Sequence, residues 1–346
     1  MAIIYPWLQS QWSQVMVLQQ QQHLPHAMLL TGSHGLGKTE FAHALGQALL
    51  CRSPLSDDVA GQACGKCHQC SMVAAGTHPD FYIIKPAPPK NSKSKHPILT
   101  IRIESIRDLC SKLSQTSQMS GYRIAIIEQA DKMNAAAANA LLKTLEEPGD
   151  NTLLILLSTD TSRLPATIRS RCQQFKFVSP SFPQVENWLQ LNGDFSDTAS
   201  CQQAFQLSHH APLTTLEVAG QWPQRELLAS ALLAESRHED ILDYALKLSQ
   251  ADRHSLLGWM LDWVNDLARL SMVPDSREQV INQASIQPLT QLARLVDRPG
   301  LFRLQTQLLQ TLQQGSIALN PQLLWENLLL SWKHLFKPQT RSTSRP

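Results

Sequence analysis

The sequence predicts an α/β P-loop domain, in which helices flank a parallel sheet that carries a cysteine knuckle. A small helical lid and an all-α C-terminal domain follow it. Three observations predict this architecture. Gly32-Ser33-His34-Gly35-Leu36-Gly37-Lys38-Thr39 fits G-x-x-x-x-G-K-[ST], between a short apolar run, 27–31, and an amphipathic run, 40–50. A second apolar run, Arg123 to Ile127, ends in an acid, Glu128. From Trp222 onward the apolar residues recur at helical spacing and give no further strand pattern.

Composition sets the limits. The 346 residues are enough for two or three domains, and 43% of them are hydrophobic, enough to build real cores. The net charge of +2 announces no global basic field, so DNA contact would be a local patch or belong to a complex. Met1 to Trp7 lacks the basic and apolar regions of a secretory leader, and no run approaches the ~20 apolar residues of a membrane span. The chain is expected in the cytoplasm, where its seven cysteines stay reduced.

In chain order, Tyr5-Pro6-Trp7-Leu8 starts a short helix through Val17, and Ala27 to Thr31 is a buried parallel strand. His26, at its entry, could sit near a base or could simply be packed. In the P-loop, backbone N–H groups and the start of the next helix favour phosphate oxygens. Gly32, Gly35 and Gly37 make the turn, Lys38 would reach the terminal phosphates and Thr39 would hold Mg²⁺. The helix over 40–50 carries Phe41, Leu45, Leu49 and Leu50 on one face and ends at Cys51.

Cys51 is followed by Cys64-Gly65-Lys66-Cys67-His68-Gln69-Cys70, which is C-x₂-C-x₂-C. Four cysteines match one tetrahedral Zn²⁺ site, with Gly65 suited to the tight turn. Four thiolates close the shell, so such a site is structural and His68 is a spare ligand. C-x₂-C-x₂-C also occurs in iron–sulfur proteins, which leaves that alternative open. Strand Phe81 to Ile84 follows, then a loop, 85–97, with Lys90, Lys93 and Lys95, read as solvated charge or as a DNA contact. Ile103 to Leu113 reads as a surface helix.

Arg123 to Asp131 has the shape of a Walker B strand, and Glu128 would meet Mg²⁺ directly or through water. Hydrolases of this type end in Asp-Glu, whereas here Glu128 is followed by Gln129, which cannot accept a proton from attacking water. Loss of a general base typically costs ~10²–10⁴-fold. Asn134 can cap the helix that runs through Glu147 to Pro148. Strand Thr152 to Leu157 ends in the polar tip Ser158-Thr159-Asp160. Strand Gln174 to Val178 closes the first domain, and Ser179 to Pro183 is a proline-marked linker.

Three stretches together carry a resemblance: the P-loop, Ala140-Leu141-Leu142-Lys143-Thr144-Leu145-Glu146-Glu147-Pro148 and Ser170-Arg171-Cys172. With the four-cysteine insertion, they make the first ~180 residues resemble the bacterial clamp-loader branch of the AAA+ family. The resemblance implies an AAA+ domain over 1–178 with a zinc module at about 51–70. A lid over 179–219, an oligomerising collar over 220–337 and a disordered tail, 338–346, would follow. It implies that Arg171 is an arginine finger acting in trans on a neighbour's ATP, and that the sensor position falls at Ser158-Thr159. The second-sensor arginine of the family is missing, since Leu213 stands in the comparable stretch.

The implied partners are other loader subunits in a hetero-oligomeric ring, a sliding clamp and, through the complex, primed DNA, with no membrane. The implied setting is a DNA-directed DNA polymerase (nucleotidyltransferase) holoenzyme. Gln129 and Leu213 favour a non-motor subunit that binds ATP and Mg²⁺ without hydrolysing it, or binds neither. The intact P-loop favours an ATP-hydrolysing motor subunit. A zinc-bearing nucleic-acid-binding protein unrelated to clamps fits less well, given the low net charge. Trp259, Trp263, Trp325 and Trp332, at helical spacing, are read as core.

Overall fold

The computed structural model describes residues 4–55, 61–88, 99–119, 121–234, 238–313 and 320–336. The tail from 338 and the three loop lysines, Lys90, Lys93 and Lys95, fall outside them. The chain divides into two compact units, the first holding the described residues through Leu216 and the second those from Glu217.

Five strands form the sheet of the first unit: β1 (Ala27–Thr31), β2 (Phe81–Ile84), β3 (Arg123–Ile127), β4 (Thr152–Ser158) and β5 (Gln173–Lys176). Every pairing is parallel and the order is β2-β3-β4-β1-β5. The central strands read as continuous apolar runs because both faces are covered. Successive side chains alternate between faces. Met28, Leu30, Ile124, Ile126, Ile155 and Leu157 therefore join one core, with α1 (Gln9–Gln20) and α2 (Lys38–Leu50). Leu29, Ala125, Ile127, Leu154 and Leu156 join the other, on the side of α4 (Ile103–Leu113) and α5 (Ala135–Glu146). Between α2 and α4 in chain order, α3 (His68–Ala74) carries the last cysteine of the knuckle.

Local chemistry explains where the elements start and stop. Gly37, with φ +89°, caps α2, so the helix begins at Lys38, two residues before the apolar pattern does. A 3₁₀ turn, Pro6–Leu8, precedes α1. Asn134 caps α5, its side chain accepting from Ala137 N at 2.8 Å. The β5 ladder ends where β1 ends. Lys176 lies opposite Thr31, Phe177 N donates to Thr31 O, and the chain then leaves the sheet with Val178 63% exposed. The strand read as Gln174 to Val178 is accordingly Gln173–Lys176.

After α6 (Ala166–Arg169) come α7 (Phe182–Asn192), α8 (Thr198–Leu207) and α9 (Pro212–Gly220). Val185, Leu189, Cys201 and Phe205 form a small core of their own there. The second unit is built from α10 (Trp222–Leu233), α11 (His238–Leu248), α12 (Arg253–Met272), α13 (Ile286–Leu295), α14 (Arg298–Gln313) and α15 (Pro321–His334). Its core buries Trp259, Trp263, Trp325 and Trp332. Trp263 and Trp332 meet edge to face at 6.5 Å, and Trp332 Nε1 donates to Leu232 O at 2.9 Å, so the indole N–H is satisfied. Among the described residues, no helix is long and apolar enough to cross a membrane.

A buried polar network pins the segment after α12. Asp266 accepts from Ile281 N and Asn282 N, both at 2.9 Å, and from Asn282 Nδ2 at 2.7 Å. Arg225 Nη2 donates to Asn282 Oδ1 at 2.6 Å, and its guanidinium lies over the Trp259 ring at 5.5 Å. Removing one partner of such a network leaves buried charge uncompensated. Asp266→Ala should therefore destabilise the second unit by about 3–5 kcal/mol, and a thermal or urea unfolding shift below about 1 kcal/mol would contradict that role.

Candidate functional site

Parallel strands all end at one edge of the sheet, which gathers the polar ends of β1, β3 and β4 there. The register fixes this directly, with Thr31 opposite Ser158 in β4. The P-loop leaves β1 at that edge with all three of its glycines in the left-handed range, φ +147° at Gly32, +77° at Gly35 and +89° at Gly37.

All three glycines are held by close packing, and a Cβ at Gly32 would lie 2.5 Å from Phe177 O. A Cβ at Gly35 would lie 2.1 Å from Thr214 Oγ1 and 2.9 Å from Thr214 N, and Leu213 N donates to Gly35 O at 3.0 Å. The start of α9 thus sits directly on the loop. A Cβ at Gly37 would lie 2.6 Å from the Tyr5 ring. Tyr5 stacks on Trp7 at 4.7 Å, Trp188 meets both edge-on, and Trp7 Nε1 donates to Leu36 O at 3.0 Å. No motif in the sequence signals this aromatic cluster or the Thr214 contact, because the partners come from elements far apart in the chain.

Lys38 is only 7% exposed, and its Nζ donates to Gly32 O at 2.8 Å and Ser33 O at 2.6 Å. Burial lowers its pKa to about 8, although the charges of Asp131 and Glu40 pull it back up. Asp131 is an acid that motif reading passed over. Its Oδ1 accepts from Thr159 N at 3.2 Å, which ties the segment after β3 to the tip after β4. Thr159 and Gln129 are exposed, and Gln129 takes a left-handed φ of +51°. The hydroxyl of Ser158 is buried without a hydrogen-bond partner, as is that of Thr214.

Glu128 faces a lysine and an imidazole of its own chain. Its Oε1 is 3.2 Å from His43 Nε2 in α2 and 3.2 Å from Lys85 Nζ just after β2. Burial alone would raise its pKa, but the hydrogen bonds from His43 and Lys85 and the Lys85 charge hold it below the usual carboxylate range. His26, weighed for a base contact, bonds instead to Leu145 O of α5 at 3.1 Å.

Arg171 lies away from the P-loop, two residues beyond α6. Its guanidinium pairs with Glu146 of α5, with Nη2 at 2.5 Å and Nε at 2.8 Å from Oε1, while Nη1 donates to Thr167 O at 3.0 Å.

The four cysteines of the knuckle converge. The Sγ atoms of Cys51, Cys64, Cys67 and Cys70 all lie within 4.8 Å of one another and could hold a metal ion, and His68 is outside the group. Gly65 supplies the turn with φ +71°. Cys64 N points at Cys51 Sγ at 3.3 Å and Cys67 N at Cys64 Sγ at 3.4 Å. Burial opposes ionisation of Cys67, but the backbone N–H groups of Cys70 and Arg52 outweigh it and bring the thiol down to about 6. Burial and the neighbouring Cys67 thiol push Cys70 up to about 12. Four thiols this close cannot all ionise unaided, and a bound cation is what makes four thiolates compatible. Buried His78 anchors the knuckle helix, its Nε2 lying 2.6 Å from Gln69 Oε1 while Asp80 N donates to Nδ1 at 3.1 Å.

Comparison with known proteins follows the same division of the chain. The profile of the family described as "DNA polymerase III, delta subunit" matches residues 8–181, and that described as "DNA polymerase III, delta subunit, C terminal" matches 219–334. DNA polymerase III subunit delta' of Pseudomonas aeruginosa is 34% identical over 353 residues, covering 98% of this chain and 100% of the relative. The protein of the same name from Yersinia pestis is 30% identical, covering 98% of each. DNA polymerase III subunit gamma of Buchnera aphidicola subsp. Schizaphis graminum is 34% identical over 164 residues, covering 47% of this chain and 41% of the relative.

Gly35→Ala tests the seating of α9 on the P-loop. It should lower stability by about 2–4 kcal/mol, through the left-handed backbone and the clash with Thr214. Thermal unfolding measures it, and an unchanged midpoint would mean that the contact is readily displaced.

Proposed function

The chain belongs to the DNA polymerase III delta-subunit family, and from that membership we propose that it serves a clamp loader as its largely non-hydrolysing subunit. In this reading it holds a ring of loader subunits together and donates Arg171 to the ATP site of a neighbouring motor subunit. The complex then places a sliding clamp on primed DNA in the cytoplasm during replication.

One observation carries the non-motor half of this reading. The position after Glu128, where a hydrolytic base is needed, is Gln129, an exposed amide on a left-handed backbone. An amide takes no proton from water. Glu128 is itself engaged by Lys85 and His43, and no arginine stands at Leu213 to take up charge from the lid. A hydrolysing site needs all of these parts together. The donor half rests on Arg171, whose side chain is 34% exposed and bonds to Glu146 of α5 and Thr167 of α6. An arginine finger supplied to a neighbour is worth ~10³–10⁵ in rate.

The glycine cradle, with Gly32, Gly35, Gly37, Lys38 and Thr39, suits nucleotide phosphates. Glu128 and Thr159 flank it as the positions that would meet Mg²⁺ and the terminal phosphate. Bound nucleotide would then be structural, adding stability in proportion to its occupancy. The intact G-x-x-x-x-G-K-T favours the second reading, a hydrolysing motor subunit, and only there does the gamma-type relative bear on function.

The cysteine group suits zinc. Tetrahedral Zn–S bonds of ~2.3 Å imply sulfur–sulfur separations of about 3.8 Å, and the Cys51 Sγ atom lies 3.5 Å from that of Cys64 and 3.9 Å from that of Cys67. Bound zinc would brace the knuckle, and the four thiolates leave no open position for chemistry.

Arg171→Ala should lower ATP turnover at the neighbouring site of the assembled loader by about 10³-fold or more, with assembly and the thermal midpoint of the isolated chain unchanged. Unchanged turnover would reject the donor role. Elemental analysis should find one zinc per chain, lost in Cys70→Ser, and a metal-free or iron-bearing chain would reject the zinc assignment.

A further inference from the structure

Arg171 has an ordered hydrogen-bond environment. Nε donates to Glu146 Oε1 at 2.8 Å and Nη2 lies 2.5 Å from the same oxygen, so the carboxylate sits on the side-on edge of the guanidinium. Nη1 donates to Thr167 O at 3.0 Å, with Ser170 Oγ more distant at 3.4 Å. Thr167 lies in α6, whose terminal carbonyls lack helical partners and favour a cation. Glu146 is the last residue of α5, a helix locked to the sheet by Leu141 and Leu145.

A guanidinium has five N–H donors in one plane. Nε donates to Glu146 and Nη1 to Thr167 O and Ser170 Oγ. Each terminal nitrogen carries two hydrogens, and one from each lies on the edge that Nη1 and Nη2 share. Those two make the fork that binds a phosphate through two parallel hydrogen bonds. A free arginine samples many rotamers and can present either edge. With the side-on edge taken, only the end-on edge is left for an anion.

We propose that Glu146 is a positioning residue that holds Arg171 by its Nε–Nη2 edge and so presents the Nη1–Nη2 edge to the terminal phosphate of a nucleotide bound by the neighbouring subunit. This rests on the in-trans reading of Arg171. Glu146 touches no reacting atom, and its contribution is orientation. Its side chain is 50% exposed and Arg171's is 34% exposed, so water screens the pair. The effect of removing Glu146 is therefore bounded at about fivefold, far below that of removing Arg171.

The test measures steady-state ATP turnover of the assembled loader with sliding clamp and primed DNA, with incorporation of each variant into the complex checked alongside. Glu146→Ala should lower kcat by about two- to fivefold with KM unchanged. Glu146→Gln, which keeps a carbonyl acceptor for Nε, should recover most of the loss. Glu146→Ala combined with Arg171→Ala should be no slower than Arg171→Ala alone. Independent, multiplying losses would assign Glu146 a role apart from Arg171 and overturn the proposal. Loss in Arg171→Ala with none in Glu146→Ala would overturn it while leaving the in-trans reading standing. Unchanged turnover in Arg171→Ala would overturn both.

Discussion

The all-parallel pairing of β1 with β4 and β5, and of β3 with β2 and β4, is the constraint on which the rest of the first unit depends. Parallel pairing sends every strand end to one edge. It places the P-loop after β1, Glu128 after β3 and Ser158 at the end of β4 side by side, although 27 and 158 are distant in sequence. It also obliges each connection to cross a face of the sheet, which covers both faces and makes the strands apolar throughout. The paired cores then fix α2 and α5, and through them Lys38 and Glu146.

The ionic groups of the first unit are largely answered from within the chain. Lys38 rests on the carbonyls of its own loop, Glu128 lies between Lys85 and His43, and Arg171 pairs with Glu146. The Arg171–Glu146 pair is open to solvent and adds little stability, so its consequence is orientation. A site that cleaves ATP needs its acid and its base directed at the metal and the water. Here the acid contacts Lys85 and His43 of its own chain and the base position holds an amide. In the proposed account this chain contributes its chemistry at the surface where Arg171 stands.

Much of the fold was legible because it is written in local periodicity and motif. The limits of β1 and β2 match the apolar runs, and Asn134 caps α5 as its side chain and position suggest. The four cysteines converge as their spacing implies, and the four tryptophans are core. What was not legible is pairing over long sequence separation. Glu128 and His43 are 85 residues apart, and neither the Walker-type pattern nor the P-loop helix predicts that they meet. Thr214 against Gly35, and Tyr5, Trp7 and Trp188 around the loop, arise from packing of helices whose own patterns report only an apolar face. Asp131 lay in a stretch read for its strand, and only the backbone turn after Glu128 aligns it with Thr159. The shortened β5 is of the same kind, since its length is set by where β1 stops.

The central claim is that this chain holds a nucleotide-type fold without its own hydrolytic cycle. The most direct measurement is ATP turnover by the purified chain alone, with sliding clamp and primed DNA present. The account predicts turnover no higher than the background reaction and no change on Lys38→Ala. Robust turnover abolished by Lys38→Ala would contradict it, and would mean that Glu128, Asp131 or another acid does the work that Gln129 cannot.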